Sequence, residues 1–440
     1  MTVITKSFSA NSLEQHWLPF TANREFKQEP RLLVKGEGVY YWNNRGDKLI
    51  DASAGLFCAA AGHCRKEIAD AVSAQLRQVD FTPHFQVANP LSFELARKVA
   101  ALTPGDLDYV FFTNSGSESI DTAMKIALAY HRAKGDGQRI RFVSRERAYH
   151  GVNIGGTSLA GMVRNRETFA GATIPNVAHM RHTWLPENRF VKGQPDTGAE
   201  LADDLQRFVD LYGAGTIAAC FVEPIAGSTG VLVPPKGYLR RLREICDRHG
   251  ILLVFDEVIC GFGRTGQAFA AQSFGVTPDM MTLAKALTNG AQPMGAVVAS
   301  TKVYDTIVNA APEGAIELFH GYTYSAHPAA CAAGLATMEI YEREGLFERA
   351  AALSGYFLDS VFALSNLPIV TDIRGYGLIA GIDIAPMGGK PGMRGLDATK
   401  RLWNAGLHIS SLPAIPASSR RRWSPTRATW TRSAPSCARC

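Results

Sequence analysis

A carboxylate and an amine near the middle of the chain carry the most chemistry. Asp256 closes the apolar run ILLVFDE, and Lys285 closes a second one, MMTLAK. Both runs read as strands, and in open α/β sheets ligands bind beyond the carboxyl ends of strands. A carboxylate buried there is costly unless a positive partner offsets it. A lysine at the same edge is partly desolvated, which lowers its pKa toward that of a nucleophilic amine. Alone, Asp256 reads first as a structural acid capping the next segment. Joined by Lys285, it completes the pair of protein groups that pyridoxal phosphate requires: an amine for its aldehyde and a carboxylate for its protonated ring nitrogen.

Such a cofactor also needs a home for its phosphate. FFTNSGSESIDTAMKIALAYH offers one: a strand ends at Asn114, and Ser115-Gly116-Ser117 turns into a helix. A helix start presents free backbone N–H groups and its positive dipole end, Gly116 permits close approach, and Ser117 adds a hydroxyl. The same turn is equally readable as a plain serine N-cap. Tyr149-His150-Gly151 follows another strand and places an aromatic where it could stack on a planar ring, although a tyrosine near a strand end is usually core. GFGRTG (261–266) has the GxGxxG spacing of a nicotinamide-dinucleotide fingerprint. In that fingerprint the first glycine follows its strand directly. Here Asp256 to Cys260 intervene, and the acid expected farther on, Asp279, precedes its strand instead of ending it. The run reads as a shaped loop near the site, supported by Arg264.

The elements that must position these residues are legible as alternation. Strands are expected at 109–114, 139–144, 217–224, 251–257, 280–285 and 294–300, with helices near 117–134 and 236–249. In the latter, Tyr238, Leu239, Leu242, Ile245 and Cys246 share one face. Strand–helix alternation of this kind gives an α/β fold with a mostly parallel sheet covered on both faces. Residues 31–55 read as short strands around the turn Asn43–Gly46. After residue 326 the pattern becomes long helices with a break at Gly345, then strands in IVTDIRGYGLIAGIDI, as in a smaller α+β domain. The expected organisation is an N-terminal segment (1–55) contributing to the small domain, a large domain (56–325), a C-terminal small domain (326–410) and an irregular basic tail (411–440).

Composition excludes several classes. Apolar residues make up 46% of the 440 and charged ones 20%, an ordinary globular balance. No apolar run is long enough to span a bilayer, the first residues lack a signal-peptide core, and a cytoplasmic location is expected. The tail's six arginines, with no acid among them, account for the whole formal charge of +6, so the body suggests no nucleic-acid partner. The eight cysteines are scattered, several in apolar runs, and Cys437-x-x-Cys440 lacks the second pair of a metal site. No metal is expected.

Taken together, SGSES (115–119), YHG (149–151), VEP (222–224), DEVICGFGRTG (256–266), PDMMTLAKALTNGAQPMGA (278–296) and HGYTYSAHPAACAA (320–333) resemble the class III, pyridoxal-phosphate-dependent aminotransferases of fold type I, in family order across roughly residues 15–410. HWLPFTANREF (16–26), DASAGLFCAAAGH (51–63) and IELFHGYTYSAHP (316–328) are most similar to the β-alanine or ω-amino acid:pyruvate subgroup. The resemblance implies a mostly parallel seven-stranded sheet. It makes Lys285 the cofactor-bearing lysine and Asp256 the partner of the ring nitrogen, with Val258 under the ring and Tyr149 above it. Gly116 and Ser117 would bind the phosphate, joined by Thr323 of a neighbouring subunit. Glu223 would sit in a polar network beside the substrate, and Phe57 would line the substrate pocket with Tyr149. An active site shared across a homodimer, commonly within a homotetramer, is also implied.

Implied too is transfer of an amino group from an ω-amino acid or amine, β-alanine first, to pyruvate. Ornithine or 4-aminobutyrate aminotransferase and aminomutase activities are the alternatives within the family, and an NAD-dependent dehydrogenase is the alternative outside it. One departure stands out. After a segment like LWNAGLHI (402–409) the family carries an arginine for the substrate carboxylate, then strands and a last helix. Here Ser410 and Ser411 follow, and the tail loses apolar periodicity altogether. It reads as a basic tail or as sequence out of frame, the second reading being favoured because all expected patterns vanish together. Arg420–Arg422 are the available substitutes for the missing arginine.

Overall fold

The computed structural model describes residues 13–388, 392–409, 411–412 and 426–431. Three short N-terminal strands come first: β1 (Leu33–Glu37), β2 (Tyr40–Asn43) and β3 (Lys48–Asp51). The turn between β2 and β3 is the expected one. Asn43 Oδ1 accepts from the backbone N–H groups of Arg45 and Asp47 at 2.9 Å, and Gly46 takes φ +88°.

Seven strands then build the central sheet: β4 (Tyr109–Thr113), β5 (Arg141–Arg145), β6 (Val177–Met180), β7 (Ile217–Val222), β8 (Leu252–Asp256), β9 (Met280–Leu283) and β10 (Gly295–Ala299). Their spatial order is β4-β10-β9-β8-β7-β5-β6. β10 runs antiparallel to both its neighbours, and the remaining pairs are parallel. β10 follows β9 after eleven residues (284–294), fewer than the dozen or more that a parallel crossover takes, and it runs back antiparallel. β6 was not among the sequence expectations; VAHM is short and sits in a polar stretch.

Successive side chains of a strand face opposite sides of its sheet. Leu253 and Phe255 of β8 therefore join one core cluster with Leu239, Leu242 and Ile245 of the helix Tyr238–His249. Leu252 and Val254 join the other, with Ile120, Met124 and Ala127 of the helix Gly116–Ala133. Both faces are thus dry and helix-covered, as the uninterrupted apolar strands require.

Two long helices follow, Pro328–Arg343 and Leu346–Phe362, separated at Gly345 with φ +57°. β11 (Val370–Tyr376) and β12 (Ile379–Ile384) form a hairpin, and β13 (Leu407–His408) pairs in parallel with β3, tying late chain to early chain. β14 (Ser411–Leu412) and β15 (Thr426–Thr431) complete a sheet of order β11-β12-β15-β14. This corrects the expectation of a tail without strands. TRATWT is rich in residues that favour extended chain, and the edge of β12 offers unpaired backbone groups for it to join. Arg420–Arg422, Cys437 and Cys440 lie outside the described residues. Among the described residues no helix is long and apolar enough to cross a membrane.

The β11–β12 hairpin is fixed by a buried charge cluster. Asp372 and Asp383 are direct cross-strand partners, and two like charges facing each other would repel. Arg374 resolves the conflict by pairing with both, at 2.9 Å to Asp383 Oδ1, while also donating to the Gly230 carbonyl. Asp372 in turn accepts from Trp184 Nε1 at 2.9 Å and from the Phe190 N–H at 2.8 Å. Replacing Arg374 by Met should cost about 3–5 kcal/mol, because two carboxylates stay buried without their cation. Burial already holds the Asp383 carboxyl above its usual range, with Arg374 opposing that rise; without the arginine the rise grows, so the loss of stability increases as pH rises above the unfolded pKa. Thermal unfolding of Arg374→Met at pH 5 and pH 8 should therefore show the larger deficit at pH 8.

Candidate active site

The carboxyl ends of β4, β5, β7, β8 and β9 open onto one cleft with a cavity of about 110 Å3. Asp256 ends β8 and is 6% exposed. Its Oδ1 accepts from the Val258 N–H and from Thr282 Oγ1, both at 3.2 Å, and its Oδ2 lies 2.8 Å from His150 Nδ1. Thr282 reaches it because β8 and β9 place these two residues opposite each other. His150 is buried as well, and its Nε2 lies 3.2 Å from Ser144 Oγ on β5. The tautomer that satisfies both partners carries its proton on Nδ1 toward the carboxylate and accepts from the serine on Nε2.

The adjacent acid serves the scaffold instead. Glu257 accepts from the backbone N–H groups of Ala270 and Ala271, at 3.1 and 2.7 Å, at the start of the short helix Ala270–Phe274. Burial pushes its pKa up to about 7 against those bonds. Of the two acids in the Asp-Glu pair, only Asp256 lines the cleft.

Lys285 follows β9 and opens a single 3₁₀ turn, Lys285–Thr288. Its φ of +50° is left-handed, a conformation that costs a non-glycine residue roughly 1–3 kcal/mol and collects at functional sites. The turn is held from outside: Tyr341 OH donates to the Ala286 carbonyl at 2.7 Å, and the Gly290 N–H donates to the Lys285 carbonyl at 3.1 Å. Desolvation lowers the amine's pKa below the usual lysine value, with the charges of Cys58, Asp256 and Glu223 pulling the other way.

Across the cleft, Ser115 caps the helix Gly116–Ala133 by accepting from the Glu118 N–H at 3.2 Å. A Cβ on Gly116 would lie 3.0 Å from Val258 Cγ1, so glycine is what allows the helix start to close on Val258. Ser117 Oγ accepts from the Val152 N–H at 3.1 Å, which orients the hydroxyl beside the Tyr149–Gly151 turn. Glu223 follows β7, is 4% exposed, and accepts from the Tyr149 N–H at 3.0 Å and the Gly227 N–H at 3.1 Å. Burial, with the Asp256 charge adding to it and His150 opposing it, moves its pKa up to about 7. Glu223 therefore fixes the backbone that carries Tyr149.

Gly116, Ser117, Tyr149, Glu223, Asp256, Val258 and Lys285 all line this one cleft. Phe57 does not line it. The residue is buried in an apolar cluster with Ile225, Cys260 and Ile259, and Ile259 is the member that forms cleft wall. Thr323 is exposed and lies apart from the cleft of its own chain. The sequence reading missed His150, Thr282 and Ser144. His150 was visible inside the Tyr-His-Gly run, whereas Thr282 becomes a partner only through strand register.

The dinucleotide alternative for GFGRTG fails on packing. Gly263 and Gly266 have φ of +94° and +90°, and Cβ atoms there would lie 2.9 Å from the Phe347 ring and 3.1 Å from Ala351 Cα. The glycines let the loop dock onto the helix Leu346–Phe362; no pyrophosphate could occupy that contact.

The family model for aminotransferase class-III matches residues 21–415. An ω-aminotransferase of Caulobacter vibrioides is 53% identical over 403 residues, covering 91% of each chain. An ω-amino acid–pyruvate aminotransferase of Pseudomonas putida is 51% identical, covering 90% of this chain and 89% of its own. Among solved structures, the ω-transaminase of Pseudomonas jessenii in complex with PMP superposes with a TM-score of 0.88 at 31% identity, over 97% of this chain and 93% of that one. An (S)-enantioselective ω-transaminase of Thermomicrobium roseum gives 0.86 at 36% identity, over 97% and 92%. With the cleft assembled from the same strand ends that the motifs marked, the chain belongs to the class III aminotransferases, enzymes of the pyridoxal-phosphate-dependent fold type I.

Proposed function

We propose that this enzyme moves the amino group of an ω-amino acid or amine, β-alanine among them, to pyruvate, releasing an aldehyde or semialdehyde and alanine. The observation that carries the chemistry is the convergence of Asp256, Lys285 and the Gly116–Ser117 helix start on one cleft. The substrates rest on likeness to relatives named as ω-amino acid–pyruvate and β-alanine–pyruvate aminotransferases at 51% and 50% identity.

The residues present fit pyridoxal phosphate. A buried carboxylate with an acceptor surface suits a protonated ring nitrogen, a softened lysine amine suits the aldehyde, and an N-terminal helix turn without a Cβ suits the phosphate. Asp256 would hold the ring nitrogen, Val258 and Tyr149 would flank the ring, and Gly116 and Ser117 would hold the phosphate together with Thr323 of a neighbouring subunit. When bound, the cofactor supplies an electron sink for the carbanion that forms at the donor carbon. Lys285 Nζ, with its lowered pKa, would take the proton from that carbon and hand it on to the cofactor rather than back to the donor. His150 and Thr282 keep the Asp256 carboxylate oriented, and Glu223 holds the Tyr149 backbone at the cleft rim. Phe57, packed against Ile259, would set the width of the substrate pocket from behind that wall.

A homodimer within a tetramer accounts for a surface otherwise hard to explain. Phe319, 87% exposed, and Tyr324 stand on the segment that carries Thr323, and Phe85, also exposed, lies beside Gly321. Exposed aromatics gathered in this way mark an interaction face. A cytoplasmic location is supported by the six free cysteines among the described residues. The division at residues 55, 325 and 410 is proposed on the change from the central sheet to the long helices and the late strands, with β13 joining the N-terminal strands to the C-terminal part.

Purified protein given β-alanine and pyruvate should release free alanine, and Lys285→Ala should abolish it. Absence of alanine with β-alanine, but release with ornithine or 4-aminobutyrate, would replace the donor and keep the enzyme class; an amino group relocated within one molecule would make it an aminomutase. Asp256→Asn should lower kcat by about two to three orders of magnitude while leaving KM for the donor nearly unchanged, since a fixed charge acting on the transition state is lost. Steady-state kinetics on the cofactor-loaded variant measure both.

A further inference from the structure

Arg264 lines a second cavity, separate from the cleft. It is 5% exposed, and its Nε is buried without a hydrogen-bond partner. Among the described residues no ion pair or hydrogen bond reaches the guanidinium. The side chain faces a small cavity of about 20 Å3 walled by Ala60, Phe262, Tyr341, Leu346 and Ala350. Groups that might have answered it are already engaged. Tyr341 OH donates to the Ala286 carbonyl. Asp51, whose charge acts on Arg264, accepts from the N–H groups of Ser53 and Gly55 and contacts His63 Nε2 at 2.7 Å. The sequence outside the described residues contains no Asp or Glu.

A guanidinium this deeply buried is stable only when an anion accompanies it. We propose that Arg264 anchors a binding site for one halide-class anion, at the junction of the Gly261–Gly266 loop, the helix Leu346–Phe362 and Leu378. Three features select that class. The pocket has room for an occupant of about water size. Its other walls are apolar, so a divalent oxyanion would keep uncompensated charge and unsatisfied oxygens there. A monatomic anion needs only the one fork of donors that Arg264 presents. Burial also lowers the guanidinium's pKa, an effect that a bound anion relieves. The ion ties the loop to the helix, so the fold gains stability from halide by mass action. The inference is independent of the transamination reading.

The test uses cofactor-loaded enzyme exchanged into sodium gluconate, whose anion is too large to enter. Adding chloride or bromide at constant ionic strength should raise the thermal midpoint by a few degrees. Acetate should not, and Arg264→Gln should lose the response. Wild-type crystals soaked in sodium bromide should show an anomalous peak within hydrogen-bond distance of the Arg264 guanidinium, a readout that stands even if the variant folds poorly. An absent peak, a guanidinium paired with a carboxylate of either subunit, an acetate response equal to that of chloride, or an undiminished halide response in Arg264→Gln would each overturn the proposal.

Discussion

The sheet edge gathers charges that a protein interior resists, and the placement of Asp256 is the constraint around which they are arranged. The carboxylate is tolerable because three separate elements answer it: the backbone just beyond β8, Thr282 from β9, and His150 from beyond β5. Thr282 reaches Asp256 only in the observed register. A slip of one residue would turn it to the other face and swap both apolar clusters between sides of the sheet. Core packing and the polarity of the cleft are therefore the same fact seen from two sides. The alternation that buries Leu252 and Val254 on one side and Leu253 and Phe255 on the other also fixes where Asp256 ends.

That coupling explains what the sequence disclosed. Apolar strands with no polar alternation could only be central strands of a helix-covered sheet, and the helix over Tyr238–His249 showed its buried face in its spacing. The antiparallel course of β10 could have been inferred from the short β9–β10 connection. β6 and β15 were hidden for a different reason: VAHM and TRATWT carry little apolar signal, and tertiary pairing decides their state. Boundaries moved by a residue or two, with one consequence for the site. Lys285 does not end its strand but begins the turn after it, where the left-handed backbone becomes possible.

In the site, the residue types that carry charge were legible and the groups that orient them were not. Asp256 and Lys285 announced themselves because a charge at the end of an apolar run is unusual. Gly116 did so because a glycine at a helix start permits close approach, although the structure shows Val258 as the group its missing Cβ admits. His150 looks like any histidine until Ser144 and Asp256 are seen on either side of it. Glu223 and Glu257 show how little a residue type decides alone. Both are buried acids with pKa values pushed up to about 7, yet one holds a rim residue of the cleft and the other the start of a helix. The glycines of GFGRTG matched a fingerprint in spacing and departed from it in context, since their missing Cβ atoms make room for Phe347 and Ala351.

The lysine turn shows how strain and function are joined here. Glycine would adopt the backbone of Lys285 without cost, but only lysine provides the amine. The conformation is imposed by its surroundings. Asn289, also left-handed at φ 54°, closes the turn, and its side chain accepts from the Ala61 N–H at 2.9 Å and donates to the Gly62 carbonyl at 2.8 Å. The segment so clamped carries Phe57 and Cys58, and a Cβ on Gly290 would fall 2.9 Å from Cys58 Cβ. The lysine turn and the segment from Phe57 to Gly62 are thus one packed unit. A change that relaxes the backbone at Lys285 would therefore disturb the contacts that Asn289 makes with Ala61 and Gly62 and that Gly290 makes with Cys58.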